Sequence, residues 1–211
     1  MTTIRLGALA ALALSLSLSL GGCALLGGGE KATLYRFGQP ALGGSEPAAA
    51  APAAAEVPVF RVNGAFQREA AGDRILTVTG GKVAYIAETR WVAPASTLFN
   101  QAVTAAFDAS PGPVRLIPRG EPAPAQYVLR LDVRNFETHY DRGGKAAPMV
   151  LVRVRAALAR GGEGSTDRLF EAQVRASGNR VSSIVEAYDE AVAEVLGEIT
   201  AWTNGQVSPA A

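Results

Sequence analysis

The chain has 211 residues, 48% hydrophobic and 18% charged, with 20 basic and 19 acidic side chains. This length accommodates one domain of ordinary size with attachments at its ends. The near-neutral charge provides neither a basic footprint for nucleic acid nor an acidic disordered tail. One cysteine and one histidine exclude a disulfide framework and a zinc site built from several such residues.

The first thirty residues have the pattern of an export signal. Residues 1–5 carry one positive charge, Arg5, and residues 6–20 form an uninterrupted run of apolar and small side chains. A positive start, an apolar stretch of this length and small residues after it are typical of a secretory signal peptide. We therefore predict that residues 1–22 are a signal peptide.

The sequence Leu20-Gly21-Gly22-Cys23 resembles the lipobox of bacterial lipoproteins. In proteins with that motif the cysteine becomes the new N-terminus and carries diacylglycerol and an N-acyl chain such as palmitate. The resemblance implies lipidation of Cys23, and no other cofactor is expected. Since Ala24 and not aspartate follows the cysteine, it also implies sorting to the periplasmic side of a Gram-negative outer membrane.

Two other interpretations of this segment remain open. An uncleaved transmembrane anchor would use the uncharged stretch from Leu6 to Gly29, although its glycines make the second half a poor helix. Plain secretion would leave Cys23 as a buried structural thiol. If Arg5 is removed with the signal peptide, the mature chain has equal numbers of basic and acidic side chains.

The mature chain is predicted to have three parts. Residues 23–32 are the lipidated cysteine and a Gly-rich tether, which spans at most about 30 Å when extended. Residues 33–205 form a single α+β domain with an Ala/Pro-rich loop at 40–57, which buries too little apolar surface to fold by itself. Residues 206–211 are a disordered tail.

The first half of the domain is predicted to contain short strands and one helix. The strands lie at residues 33–37, 58–66, 74–79, 82–87 and 114–117. Gly80-Gly81 fits a two-residue hairpin turn that needs positive φ. The helix runs from Pro94 to Asp108, because proline suits the first turn and apolar residues recur at helical spacing.

The second half contains the clearest β pattern. Apolar and polar residues alternate along residues 127–134, 150–158 and 170–176. Strict alternation with one apolar face indicates an antiparallel meander that is buried on one side. Its turns are predicted at residues 141–144 and 161–166, where glycines are concentrated.

A final helix is predicted to start at Ser183, with Glu186 three residues later completing a capping box. An apolar stripe then leads to Trp202, which is expected to pack in the core, and Gly205 ends the helix. We therefore expect an α+β fold: a mixed, mostly antiparallel sheet with two amphipathic helices packed on one face, in a two-layer sandwich.

Few residues have the arrangement that catalysis requires. His139 is the only histidine and lies close to Asp141 at a hairpin end, but acid–base work would also need a positioned nucleophile. The glycine-rich segments 143–145 and 161–166 lack the helix N-terminus and the hydroxyl of a phosphate site, so they are interpreted as turns. We predict no catalytic residue and no metal site.

One surface cluster is a candidate binding site. Strand parity places five arginines on the outer face of the meander: Arg130, Arg134, Arg153, Arg155 and Arg175. With only Asp132 and Glu171 as obvious acids, the excess would suit an acidic partner or lipid phosphate. The alternative is a solvated face with cross-strand ion pairs. Trp91, just before the first helix, either packs at the helix entrance or contacts a partner.

Several segments in this order resemble a known family. They are Cys23, Leu34–Phe37, Val83–Ile86, Arg90–Pro94, Tyr127–Glu137 and Ala187–Ala191, followed by Ile199 and Trp202. Together they resemble the ABC-type transport auxiliary lipoproteins, the PqiC-like family. The resemblance spans nearly the whole mature chain, and it depends on the ordered co-occurrence of motifs that are individually weak.

The resemblance implies a periplasm-facing outer-membrane lipoprotein that works with an MCE-domain protein and an ABC permease and ATPase. Such systems move lipids between the two membranes of the envelope. The chain would be a docking subunit, not an enzyme, and lipidation of Cys23 is the only residue role that carries over. Two alternatives remain open: a lipoprotein that carries a lipid itself between helices and sheet, and a periplasmic hydrolase that uses His139.

Overall fold

The computed structural model describes residues 32–38, 56–117, 126–161 and 164–207, and these ranges contain nine strands and two helices. The strands are β1 (Thr33–Tyr35), β2 (Val57–Phe66), β3 (Leu76–Thr79), β4 (Lys82–Tyr85), β5 (Thr89–Trp91), β6 (Val114–Ile117), β7 (Tyr127–His139), β8 (Met149–Arg160) and β9 (Gly164–Arg175). The helices are α1 (Ala95–Asp108) and α2 (Val181–Gln206).

The long strand β7 is the centre of a seven-stranded sheet. One edge of β7 pairs antiparallel with β8, which in turn pairs antiparallel with β9. The other edge is shared by two strands, because β2 runs parallel to the first part of β7 and β3 runs parallel to its end. β6 extends this side beyond β2, and β4 extends it beyond β3. β1 and β5 form a separate parallel pair.

The predicted α+β fold with a mixed, mostly antiparallel sheet and two helices is confirmed, since the two longest ladders are antiparallel. The predicted alternation holds in β8, where the even-numbered residues from Val150 to Leu158 are all buried. The inner face of the sheet and both helices contribute to one hydrophobic core. In α2 the apolar stripe ends at Trp202, which is partly buried and packs edge-on against Phe170 at 5.7 Å between ring centroids.

Strand β7 departs from strict alternation at Arg134. The register with β8 shifts between Val133 and Asn135, so the odd-numbered residues up to Val133 are buried and then Phe136 and Thr138 are. A β-bulge of this kind adds one residue to one strand and reverses the parity after it. The predicted alternation covers residues 127–134, so it ends where the bulge begins, and Arg134 is itself exposed.

On the opposite edge of β7, where the register with β2 shifts between Asn63 and Phe66, side chains supply hydrogen bonds to the backbone. The carboxylate of Asp132 accepts a hydrogen bond of 2.8 Å from the backbone N–H of Ala65 in β2. The side-chain carbonyl of Gln67 accepts another of 2.8 Å from the backbone N–H of Phe136. Because backbone groups away from water require partners, these two side chains make the departure from regular pairing possible.

The short strands and turns are only partly as predicted. The hairpin turn is confirmed, with φ of 55° at Gly80 and 92° at Gly81. Strand β5 was not predicted, because its three residues precede Pro94 and show no period of their own. The predicted turn at 161–166 is shorter than expected, since β9 already begins at Gly164 and pairs there with Arg160.

The capping box predicted at Ser183 is wrong. Helix α2 begins two residues earlier, at Val181, and its N-cap residue Arg180 makes no side-chain cap. Ser183 is therefore the third helical residue, and its hydroxyl is buried against that of Ser177 at 3.0 Å. A serine inside the first turn cannot cap the helix, because the cap residue lies outside it.

Two predicted boundaries shift by one or two residues. Val57, assigned to the loop at 40–57, is the first residue of β2, and its N–H donates to the carbonyl of Pro113 at 2.7 Å. At the C-terminal end, Gln206 completes α2 and Val207 is buried in the core, although both were assigned to the tail. The signal peptide, Cys23, most of the tether and most of the Ala/Pro-rich loop lie outside the described residues.

Gly64 tests the packing of β2 on β7. A Cβ atom at this position would lie 1.9 Å from the carbonyl oxygen of Leu131, so alanine must push the strands apart. We expect Gly64→Ala to lower the free energy of unfolding by about 2 kcal/mol or more, as measured by urea unfolding followed by tryptophan fluorescence. Gly72→Ala is the control, because nothing lies within 4 Å of its added Cβ. Equal stability of the two variants would contradict this packing.

Candidate functional site

The five predicted arginines lie on the outer side of the sheet and are called the arginine face here: Arg130, Arg134, Arg153, Arg155 and Arg175. Arg130 and Arg134 belong to β7, with Arg134 at the bulge. The next two belong to β8 and the last to β9. Sheet pairing thus brings together residues that are up to 45 positions apart in the sequence.

Every member of the arginine face has a carboxylate within 4 Å. Arg153 pairs with Glu171, one of the two acids recognised on this face in the sequence. Arg155 pairs with Asp167 at 2.9 Å. Arg175 forms two hydrogen bonds with Asp141, of 2.5 and 2.8 Å. Neither acid was recognised in the sequence as a partner, because Asp141 lies in a predicted turn and Asp167 lies between the predicted turn at 161–166 and the predicted strand at 170–176. Their presence makes the positive excess smaller than predicted.

Asp132 is the acid at the centre of the β7 part of the face. Its residue is only 4% exposed, and its carboxylate receives two hydrogen bonds from Arg130, of 3.1 and 2.8 Å. Hydrogen bonding to Arg130 is the main cause that holds the pKa of Asp132 below its ordinary value. Arg134 lies farther away, at 3.9 Å from the same carboxylate. Arg134 is therefore the least engaged cation of the face.

The geometry allows the arginine face to bind an anion, because a guanidinium group can exchange its own carboxylate for one on a partner. The side chains of Arg130, Arg134 and Arg155 are about half exposed, so part of each guanidinium faces water. Guanidinium groups bind carboxylate and phosphate through parallel hydrogen bonds. A partner surface that carries such groups could thus bind here without unfolding any strand.

His139 is paired with an acid other than the expected one. Its Nε2 lies 2.7 Å from a carboxylate oxygen of Glu137, whereas Asp141 is bound to Arg175. Glu137 also accepts hydrogen bonds from Gln67 and Asn135, of 2.6 and 2.8 Å. This network holds the end of β7 against β2. In the described ranges, no three His, Cys, Asp or Glu side chains are close enough to hold a metal ion.

Trp91 lies inside the protein, with 2% of its surface exposed. Its ring packs edge-on against Phe37 at 4.9 Å and against Tyr188 at 5.3 Å, and Phe136 contacts both of these rings. Of the two roles considered for Trp91, the structure places the side chain in the packing position. The four rings join β5, β7, α2 and the segment that follows β1 in one aromatic cluster.

A groove of about 870 Å³ runs between the two helices. Its walls are made mainly of small residues: Ala102, Ala105 and Ala106 of α1, Ala109 directly after it, and Ala193, Gly197 and Ala201 of α2. At one end the carboxylate of Asp189 accepts a hydrogen bond of 2.7 Å from the N–H of Gly38, and burial raises the pKa of Asp189. At the other end Asn204 binds Ser110 at 3.0 Å.

The groove was not predicted from the sequence. The only available signal is the spacing of small residues by three or four positions, as at Ala105 and Ala109 or at Ala193 and Gly197. Such residues lie on one face of a helix. Nothing in the sequence of one helix indicates that the other helix places its small residues opposite, and the groove exists only after both have packed on the sheet.

No described helix is long and apolar enough to cross a lipid bilayer. Cys23, the predicted lipidation site, lies outside the described residues. Ala32 is the first described residue, and β1 begins at Thr33. Lipidation therefore stays a prediction, whereas the first strand that would follow the tether is defined.

Known proteins are similar to this chain in sequence and fold. Residues 41–200 match a family model described as the ABC-type transport auxiliary lipoprotein component. The crystal structure of a DUF330 protein from Xanthomonas campestris has 24% identity and a TM-score of 0.63, covering 82% of this chain and 97% of that one. A second crystal structure, of an uncharacterized protein, has 16% identity and a TM-score of 0.61 over 82% and 99%. No curated protein matches the chain.

The ion pair of Arg175 and Asp141 predicts a measurable titration. Hydrogen bonding to Arg175 is the main cause that lowers the pKa of Asp141 to about 2. We expect Arg175→Gln to raise this pKa toward about 3.9, as measured by carbon-13 NMR of the carboxyl group. Arg142→Gln should change it little, because Arg142 lies 4.0 Å away.

The sign of the pH dependence follows from this lowered pKa. A carboxyl group with a lower pKa in the folded state stabilises the fold above its unfolded value of about 3.9. That stabilisation is lost as the pH falls toward 2. In Arg175→Gln the contribution of Asp141 to the free energy of unfolding should be absent at neutral pH. An unchanged pKa of Asp141 in this variant would show that Arg175 does not cause the lowered pKa.

Proposed function

The chain belongs to the family of ABC-type transport auxiliary lipoprotein components, and we propose that it is the outer-membrane lipoprotein subunit of an MCE-type lipid transport system. In this proposal it stands on the periplasmic side of the outer membrane and docks the far end of a periplasmic MCE-domain protein. The ABC permease and ATPase lie at the other membrane. The observation that carries the proposal is the family match over residues 41–200 together with the lipobox-like segment that ends at Cys23.

The proposed role is binding and not catalysis. The family is an auxiliary transport component and not a family of enzymes. The lone histidine is hydrogen-bonded to Glu137 at the end of a strand. Nucleophilic catalysis would also need a hydroxyl or thiol bound to its ring.

Lipidation of Cys23 would give the docking subunit its advantage. A chain held at the membrane by acyl groups meets a second membrane-bound partner at high effective concentration. Two or three acyl chains anchor a protein firmly, whereas one chain binds reversibly. Even a modest contact surface on the folded domain would then suffice for capture.

The arginine face is the proposed contact surface for the MCE-domain protein. It combines half-exposed guanidinium groups from two neighbouring strands, β7 and β8. Arg134 is its least engaged member, at 3.9 Å from Asp132. A partner surface with carboxylates would match this face, since complementary charges favour the correct orientation of the encounter.

Affinity capture of the full-length protein from membranes tests the proposed function. We expect an MCE-domain protein to co-elute with the wild type. For Cys23→Ala we expect loss of the protein from the outer-membrane fraction and a several-fold decrease in co-elution, because the anchor supplies the effective concentration. Full retention of Cys23→Ala in that fraction, or capture without an MCE-domain protein, would contradict the proposal.

Charge reversal separates the arginine face from the anchor in the same capture. We expect Arg153→Glu with Arg155→Glu to reduce co-elution while the protein stays in the membrane fraction. The matched control adds Glu171→Arg and Asp167→Arg, which restores both ion pairs with opposite direction and the original net charge. We expect the control to fold normally, because both ion pairs are restored. If the face binds through its own pattern of guanidiniums, the control still captures less MCE-domain protein than the wild type.

The groove between the helices supports a second candidate function, the carriage of one lipid chain. Its volume of about 870 Å³ lies in the range of ligand sites. From Asp189 to Asn204 it follows α2 for about 22 Å, which exceeds the thickness of one leaflet of hydrocarbon, about 15 Å. This differs from the lipid site considered from the sequence, which lay between helices and sheet.

Mass spectrometry of the purified protein distinguishes the two functions. If the groove carries a lipid, lipid co-purifies with the wild type and is lost in Ala106→Phe with Ala193→Phe, because both phenyl rings occupy the groove. Ala84→Phe on the exposed strand β4 is the control. Absence of lipid from the wild type, with normal capture of the MCE-domain protein by the groove variant, would exclude lipid carriage.

A further inference from the structure

The small sheet formed by β1 and β5 has two different faces. Its parallel register places Leu34 beside Arg90 and Tyr35 beside Trp91, and the N–H of Val92 donates to the carbonyl of Tyr35 at 2.7 Å. Trp91 and the residue Phe37 point into the aromatic cluster. The residues that alternate with them form the other face, which we call the outer patch: Leu34, Arg36, Arg90 and Val92.

The outer patch exposes two aliphatic side chains. Leu34 is 59% exposed and Val92 is 45% exposed, and they are two of only four large hydrophobic residues with such exposure in the described part of the chain. Exposed aliphatic residues that share one face of a sheet mark a contact surface more strongly than scattered ones. The outer patch therefore suits contact with an apolar or amphipathic partner.

Both cations of the outer patch lie beside these aliphatic side chains. Arg90 is paired with Asp73 at 2.9 Å. Arg36 is exposed, and no described residue forms an ion pair with it. An arginine beside aliphatic side chains fits the boundary of a phospholipid bilayer, where phosphate groups lie next to acyl chains.

The length of the tether indicates which surface is within reach. Only the ten residues 23–32 separate the proposed acyl groups from the first residue of β1, and they span at most about 30 Å. Leu34 is the second residue of that strand. In a protein anchored through Cys23, the length of the tether is therefore the upper limit of the distance between the start of β1 and the lipid surface, so the outer patch can reach that surface.

We infer that the outer patch rests on the phospholipid surface of the membrane that holds the anchor. Leu34 and Val92 insert at the level of the headgroups, and Arg36 binds lipid phosphate. The contact fixes how the domain is oriented on the bilayer, which the acyl chains alone do not do. This inference rests on the proposed lipidation of Cys23 and adds a second, non-covalent contact with the same membrane.

Site-specific fluorescence on the full-length lipidated protein tests the inference. Since Cys23 is the only cysteine, acylation leaves an introduced thiol as the only one that reacts. We use Leu34→Cys and Val92→Cys, each labelled with the fluorophore NBD, in vesicles of phosphatidylethanolamine and phosphatidylglycerol with a spin-labelled lipid. The matched control is Leu169→Cys on β9, whose residue is also exposed, at 53%.

We expect the spin-labelled lipid to quench positions 34 and 92 about threefold more strongly than position 169, because only the outer patch reaches the headgroup boundary. Adding Val92→Asp to the Leu34→Cys protein should reduce the quenching at position 34, since a carboxylate resists insertion. Adding Leu169→Asp to the same protein should not change it.

Three other results would overturn the inference. Protein that floats with the vesicles but shows equally weak quenching at all three positions has its anchor and lacks the lipid contact, which leaves the proposed function intact. Equally strong quenching at all three positions excludes a preferred orientation. Protein that does not float has no lipid anchor, and both the inference and the proposed function then fail.

Discussion

The hydrogen bonds that Asp132 and Gln67 supply beside the bulge of β7 are the constraint on which much of the structure depends. They satisfy backbone N–H groups where the regular ladder is interrupted. On this edge β7 pairs with β2 in its first part and with β3 at its end. The reversed parity after Arg134 also turns Phe136 into the core, where it contacts Tyr188 of α2. The exposed position of Arg134 and the buried position of Phe136 are thus two consequences of one added residue.

Local patterns predicted the elements that repeat over several residues. The alternation of β8 and the helical spacing of α1 depend only on which side of an element faces the core, so the sequence contains that information. The bulge, strand β5 and the start of α2 depend on partners that are distant in sequence. Ser183 has the residue type of a helix cap, but packing against Ser177 and the core includes it in the first turn. Tertiary contacts decided these positions, and no local pattern reports them.

The candidate site divides in the same way. The arginines were identifiable because their polar side chains alternate with buried ones along a strand. Their partners Asp141 and Asp167 were not, since an ion pair forms across strands whose register the sequence does not fix. The groove left no polar signal at all, because alanine and glycine are ordinary helix-face residues until a second helix packs beside them. The positive charge of the arginine face was thus predictable, whereas the carboxylates that pair with it and the groove between the helices were not.

The exposed ion pairs of the arginine face also suit a docking role that depends on an anchor. Ion pairs in contact with water contribute little net stability, so a partner carboxylate that replaces Asp167 changes the stability of the fold only slightly. Such an exchange gives orientation and selectivity more than affinity. Affinity must then come from elsewhere, and a membrane anchor provides it as effective concentration. Because the outer patch belongs to the small β1–β5 sheet and the arginines to the large one, contact with a bilayer and contact with a protein require no common residue.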